Sequence, residues 1–348
     1  MQSINEIIKN ASDINASDIH ICVGRSVQYR VGGNLKSANS IELKPEDVEN
    51  YAKSLVEPNI FDESQLSMDF AKTIDDYIRI RCNIYKEKGN FACAIRILPL
   101  DVPCPKSLFL PKTVIDIADK TRGLVLVTGP TGHGKTTTLA GITNYINENY
   151  NKHIITLEDP IEYVHSHKKS IINQREIGID ANTFDTGLRD ALRQDPDIIL
   201  VGEMRDTKTI ETALTASETG HLVLATLHTM DCATTISRIV DVFPAEKQAQ
   251  IRVMLADVIE CIISQRLVTL KDGSRRAVYE VLTATSAVKS LIRENQPFQL
   301  YSQMQISKKD GMKTLDESLF DMYKTGLAEK EELIKLSLNP VELERKMI

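Results

Sequence analysis

The chain has 348 residues, of which 42% are apolar and 26% charged, and its net charge is −6. That length suits two domains, and the balance is that of an ordinary globular protein. The acidic excess disfavours a duplex-DNA motor, and no run approaches the roughly 18 apolar residues of a membrane helix.

The cysteines at 22, 82, 93, 104, 232 and 261 form no C-x-x-C pair. Most fall in apolar runs, which reads as reduced, buried thiols in a cytosolic protein. Asn5, Glu6 and Asn10 stand where a signal peptide would be apolar. The expectation is a soluble, cytoplasmic protein whose membrane role, if any, comes through a partner.

In chain order, Asp18–Val23 and Val27–Val31 read as strands, and Pro45 opens a helix towards Val56. Tyr77–Ile84 alternates at period two, and Phe91–Ile97 follows a polar turn. With Lys88-Gly89 as a two-residue turn, these strands form a hairpin that sets Arg81 opposite Arg96. Facing like charges need an anion nearby, either carboxylates such as Asp69 or Asp75 or a bound one. Pro99, Pro103, Pro105 and Pro111 mark a linker at 101–111, dividing an α+β domain at 1–100 from a second domain at 112–348.

The second domain alternates strands (124–128, 153–157, 197–201 and 221–227) with helical patterns, as in a mainly parallel sheet. After residue 230 the pattern turns helical, with Ile251, Leu255, Val258, Ile259 and Ile262 expected on one helix. The tail from Ser286 is expected to be helical as well.

The first strand of this domain runs into Gly129-Pro130-Thr131-Gly132-His133-Gly134-Lys135-Thr136, which fits G-x-x-x-x-G-K-[ST], and Thr137 opens the helix behind it. Gly129, Gly132 and Gly134 let backbone N–H groups close around an anion, and the helix N-terminus adds partial positive charge. Lys135 then reaches the β- and γ-phosphates, and Thr136 can ligate Mg²⁺. The chain is expected to bind a nucleoside triphosphate with Mg²⁺.

Phosphoryl transfer also needs a metal holder and a group to orient water. Asp197–Glu203 is an apolar strand ending in a carboxylate, which sets Glu203 at the strand mouth. Glu158, Asp159 and Glu162 crowd another mouth, as a metal or water site or as an exposed acidic turn around Pro160. His221 and His228 bracket Leu222–Leu227; they are structural, or Thr226 and His228 sense the γ-phosphate.

Four ordered motifs together resemble the bacterial type II/IV secretion ATPase superfamily. They are the loop, the acidic box Ile155–Tyr163, the Walker B-like Asp195–Asp206 and the histidine box Thr219–Thr229. Ala16–Ile21, Asp241–Glu246 and Ala287–Glu294 are similar to the twitching-motility, pilus-retraction (PilT-like) branch. The sequence departs from that branch at His133, usually serine, and at Val288, Lys289 and Ser290.

The resemblance implies an α/β chain: a small N-terminal α+β (PAS-like) domain, a RecA-like P-loop ATPase domain and a helical tail. It implies ATP as the nucleotide, with Lys135 on its phosphates, Thr136 and Glu203 at the metal, and Glu162 as the water-activating base. His228 with His221 would link nucleotide state to conformation, and Arg81 and Arg96 would act as arginine fingers. It further implies a homo-hexamer that works on an inner-membrane pilus platform protein at the inner face of the cell membrane, with no nucleic-acid partner. A pilus-assembly or type II secretion motor, a RecA-like nucleic-acid motor and a switch with negligible turnover are the competing readings.

Overall fold

The computed structural model describes residues 2–56, 64, 66–75 and 77–348. The chain divides into two compact units. One runs to Asp101 and also takes in Pro160–Val164; the other comprises Val102–Asp159 and His165–Ile348. The segment 102–111 therefore belongs with the second unit, where Leu110 is buried in the core beside Val114.

The first unit is the expected small α+β domain. It contains α1 (Ile4–Asp13), β1 (Asp18–Ile21), β2 (Gln28–Val31), β3 (Asn34–Ser37), α2 (Pro45–Leu55), β4 (Ser67–Ile74), β5 (Ile78–Glu87) and β6 (Asn90–Leu98). The strands form an antiparallel sheet ordered β3-β2-β1-β6-β5-β4. In α1 a capping box between Ser3 and Glu6 fixes the start, and Ile4, Ile7, Ile8 and Ala11 make a buried stripe at helical spacing. Both helices share one core with Ile19, Ile21, Ile80, Ile84 and Ile95 of the sheet.

The β5–β6 hairpin has the register read from the sequence, with Arg81 opposite Arg96 and Glu87 opposite Asn90. Lys88 and Gly89 occupy its turn at φ 51° and 80°. Two successive positive φ values match the right-handed twist of the flanking strands. The sequence reading did not anticipate α1, β3 or β4.

The second unit contains α3 (Lys112–Ile115), β7 (Gly123–Thr128), α4 (Lys135–Asn149), β8 (His153–Glu158), β9 (Ile171–Glu176), α5 (Phe184–Ala191), β10 (Ile198–Val201), α6 (Thr207–Glu218) and β11 (Leu222–Leu227). Then follow α7 (Cys232–Asp241), α8 (Ala245–Val258), β12 (Ile259–Thr269), β13 (Arg275–Thr283), α9 (Ser286–Arg293), α10 (Leu300–Ile306), α11 (Leu315–Lys324), α12 (Lys330–Leu336) and α13 (Pro340–Lys346). The sheet is ordered β13-β12-β7-β11-β10-β8-β9 and is parallel except for β13.

Helices cover both faces, so β7 is buried throughout: Leu124 and Leu126 enter one core, and Val125 and Val127 enter another. That burial sets the loop after Thr128 at the carboxyl ends of the parallel strands, where ligands bind in such sheets.

One expectation fails. The helix read through Ile262 stops at Val258, and Ile259 and Ile262 lie on β12, paired with β7. β12 is buried on both faces from Cys261 to Arg266, so its apolar residues do not alternate, and Ile259 and Ile262, three apart, carry on the helical spacing of α8. The strands β9 and β13 were likewise missed. The helical tail is observed, with Ile292 of α9 only 1% exposed. Among the described residues, no helix is long and apolar enough to cross a membrane.

Candidate active site

The loop 129–134 has the backbone of an anion cradle. Gly129, Gly132 and Gly134 adopt φ of 141°, 77° and 81°. At Gly129 a Cβ would stand 2.5 Å from the Gln265 carbonyl oxygen, so only glycine lets the loop pass β12. Gly134 is the N-cap of α4, and no side chain caps that helix. Its N-terminal amides and partial positive charge are thus left for an anion.

Lys135 is 8% exposed and its Nζ donates to the carbonyls of Gly129 (2.9 Å) and Pro130 (3.1 Å). The ammonium is thereby held across the loop it serves. His133 turns away from the cradle. Its Nδ1 accepts from Leu267 N at 3.0 Å, and its carbonyl accepts from Gln265 Nε2 at 2.5 Å. Burial, then Arg266, Lys135 and Arg275, hold the ring's pKa below its ordinary value and favour the neutral, accepting form. His133 therefore fastens the loop to β12.

The strand ends deliver the other groups. His228 follows β11, and Glu203 follows β10 by two residues. His228 Nδ1 lies 3.1 Å from Lys135 Nζ and 3.3 Å from Thr131 Oγ1, while Nε2 lies 3.2 Å from Glu203 Oε1. Arg205 Nε donates to Glu203 Oε2 at 2.7 Å, and Arg205 Nη1 is 3.8 Å from Asp159 Oδ2. Lys135, His228, Glu203, Arg205 and Asp159 thus form one chain of contacts along the mouths of β7, β11, β10 and β8. The sequence reading gave Arg205 no role, although its i+2 spacing from Glu203 at a strand end was a usable signal.

Glu158 is 8% exposed and accepts from Thr156 Oγ1 (2.7 Å) and Gln174 Nε2 (3.0 Å). Thr226 Oγ1 donates to the Gly202 carbonyl at 2.5 Å, so this hydroxyl fixes the Glu203 loop instead of facing a phosphate. His221 is a correction. It precedes β11, whose first residue pairs with Gly123 at the start of β7, roughly 20 Å from the loop at the far end. Its Nδ1 faces Ala216 O at 3.1 Å, so within one chain it does not join the nucleotide residues.

Glu162 lies in the segment that packs with the first unit. There Arg79, 8% exposed, donates to the neighbouring Ile161 carbonyl through Nε (3.1 Å) and Nη2 (2.6 Å). Arg81 and Arg96 each hold a carboxylate of the same unit: Asp69 at 2.6 Å and Asp18 at 2.9 Å. Asp75 is not the partner of Arg81.

The residues present fit a Mg²⁺–nucleotide. Among the described residues no three His, Cys, Asp or Glu form a metal cage. Mg²⁺ characteristically takes one or two protein ligands and completes its shell with phosphate and water, which Thr136 and Glu203 beside an anion cradle would allow.

Residues 110–274 match the family model described as type II/IV secretion system protein. The chain is 42% identical to the type IV pilus retraction ATPase PilT of Pseudomonas aeruginosa, over 94% of this chain and 96% of that one. It is 45% identical to a twitching motility protein of Neisseria gonorrhoeae, over 87% of this chain and 82% of that one. A crystal structure of the pilus retraction motor PilT with bound ADP superposes with a TM-score of 0.91 at 45% identity, covering 99% of this chain and 100% of that one. With such relatives along nearly its whole length, and with the phosphate loop and its facing acid in place, the chain belongs to the type II/IV secretion ATPase family, in its PilT-like branch, and is an ATPase.

Proposed function

We propose that the chain hydrolyses ATP to drive retraction of type IV pili, and that it does so as a homo-hexamer acting on a pilus platform protein at the cytoplasmic face of the inner membrane. The observation that carries the reading is the contact of His228 with both Lys135 and Glu203, which ties the phosphate-binding group to the acid facing it. The retraction and twitching names of relatives above 40% identity support the direction of work.

In this reading the loop amides and Lys135 bind the β- and γ-phosphates. Thr136 and Glu203 would hold Mg²⁺, which would supply positive charge against that building up on the phosphate oxygens. Glu162 takes a proton from water as its oxygen attacks the γ-phosphorus; the bond to the ADP oxygen breaks, and ADP leaves with that electron pair. His228 passes the change at the phosphates to the loop that begins α7. Arg81 and Arg96 would stabilise transition-state charge, each after releasing its own carboxylate.

Deletion of the gene, scored by surface pili and surface motility, tests the function. Cells that keep their pili but cannot move support retraction. Cells without pili would assign the chain to assembly instead.

A further inference from the structure

The loop between β10 and α6 is pinned at every second residue. Gly202 N donates to Leu157 O (2.8 Å), and Met204 N donates to Thr226 O (3.1 Å), with the Met204 side chain 2% exposed. Asp206 caps α6 by accepting from Thr209 N at 2.9 Å. With 202, 204 and 206 fixed, Glu203 and Arg205 meet side by side through the 2.7 Å bond from Arg205 Nε.

Stability does not account for this bond. The Arg205 side chain is 61% exposed, and ion pairs in such positions contribute little. Its consequence falls on Glu203, which is only 19% exposed. One carboxylate oxygen faces His228 and the other faces Arg205, so both are committed to groups of the protein. A divalent cation or its water shell needs one of them. Arg205 also has a second carboxylate close by, Asp159, whose Oδ2 is 3.8 Å from Nη1.

We infer that Arg205 is a positioning residue that exchanges between Glu203 and Asp159. On Glu203 it competes with a divalent cation for the carboxylate, and on Asp159 it releases Glu203 to the metal. The acidic box then has a use for Asp159 apart from proton transfer: it is the alternative seat of the guanidinium. This rests on the reading that the loop 129–136 binds a Mg²⁺–nucleotide.

The test needs no turnover. Binding of a fluorescent, non-hydrolysable ATP analogue by the full chain is titrated with Mg²⁺, and the half-saturating Mg²⁺ concentration is read. Arg205→Gln is expected to lower it by about threefold or more, the scale of a lost exposed ion pair. Asp159→Asn is expected to raise it by a similar factor, because Arg205 then has only Glu203 to hold. The double variant is expected to follow Arg205→Gln, since Asp159 acts only through the guanidinium. Analogue binding without Mg²⁺ should be alike in all four proteins.

Single variants that shift in the same direction, or that do not shift, overturn the inference. So does a double variant that departs from Arg205→Gln. A wild-type chain that binds no analogue overturns the loop reading, and this inference with it. Normal binding with superimposable Mg²⁺ curves overturns the inference alone.

Discussion

His228 Nδ1 lies 3.1 Å from the Nζ of Lys135, and the pairing fixes the tautomer of the ring. An ammonium only donates, so Nδ1 must accept. The ring proton then sits on Nε2 and is donated to Glu203 Oε1 across 3.2 Å. Replacing His228 with Ala removes the bridge while leaving both charges in place. Turnover is expected to fall at least about tenfold, with binding of a fluorescent ATP analogue retained, as for a group acting in proton and charge organisation. His228→Asn, which keeps an acceptor and a donor on a shorter arm, should recover part of the loss. Wild-type turnover in His228→Ala would refute the bridge.

Lys135→Ala should abolish nucleotide binding or turnover. The ammonium lies against the Gly129 and Pro130 carbonyls, at the mouth of the cradle, and no other loop residue carries positive charge there in the neutral-His133 state. Binding and steady-state hydrolysis measured together decide it, and activity within twofold of wild type would sink the loop assignment.

Glu203→Gln and Glu162→Gln are each expected to cost on the order of 100-fold in turnover, through lost metal support and lost water activation respectively. Analogue binding should survive in both, because Lys135 and the loop amides remain. The two differ in Mg²⁺ dependence: only Glu203→Gln should need more Mg²⁺ for binding. Normal hydrolysis by Glu162→Gln would move the role of base to Glu158.

Much of this site was legible because its parts follow rigid strands. A buried run such as Leu124–Val127 can end only at a sheet mouth, so the groups after it converge whatever the rest of the chain does. The Arg81–Arg96 pairing was legible for a similar reason, since a two-residue turn leaves one register. What failed was local. The strand β12 read as helix because burial on both faces erased its alternation. His228 was legible at the carboxyl end of β11, whereas His221 entered only through the resemblance, and the register with β7 puts it at the opposite end of the strand. Arg205 was passed over for another reason: its i+2 spacing from Glu203 pointed to a pairing, but only the bond itself shows that the guanidinium occupies the carboxylate.

The stability of the chain should fall in mild acid partly through His165. Its pKa is pushed down to about 4 from an ordinary 6.5 by burial, with Lys168 adding to the effect. Its Nδ1 is buried without a hydrogen-bond partner among the described residues. The folded pKa is below the unfolded one, so the unfolded chain takes up the proton first. The contribution is whole above pH 6.5 and is lost as pH falls through about 4. At about 1.4 kcal/mol per pKa unit the loss is at most about 3.5 kcal/mol. Urea unfolding of wild type and His165→Gln across that range should show a flatter pH profile in the variant. Parallel profiles would show that the ring is not held neutral.

Arg81 and Arg96 sit opposite each other, yet each is already neutralised, by Asp69 at 2.6 Å and by Asp18 at 2.9 Å. Two roles follow, and they predict different things. If the pairs are only structural, removing either partner of a pair should have the same small effect. That effect would be within about 1 kcal/mol, because the Arg81 and Arg96 side chains are 36% and 65% exposed. If the arginines act on ATP, a carboxylate is a competitor and the partners of a pair have opposite effects. Arg81→Ala and Arg96→Ala would then lower turnover at least about tenfold, with unfolding midpoints close to wild type. Asp69→Asn would maintain or raise turnover, since it frees Arg81 for the phosphate. Asp18 is the less clean partner. Burial raises its pKa, but the Ser17 hydroxyl and Arg96 outweigh that and hold it below the usual carboxylate range, so its loss also disturbs β1. The Arg81–Asp69 pair is therefore the one to measure. Mixing Arg81→Ala subunits with Lys135→Ala subunits then asks whether the arginine serves its own chain or a neighbouring one. Activity restored in the mixture places the contact between subunits; equal, small losses in Arg81→Ala and Asp69→Asn reduce the pair to a strand-pairing device.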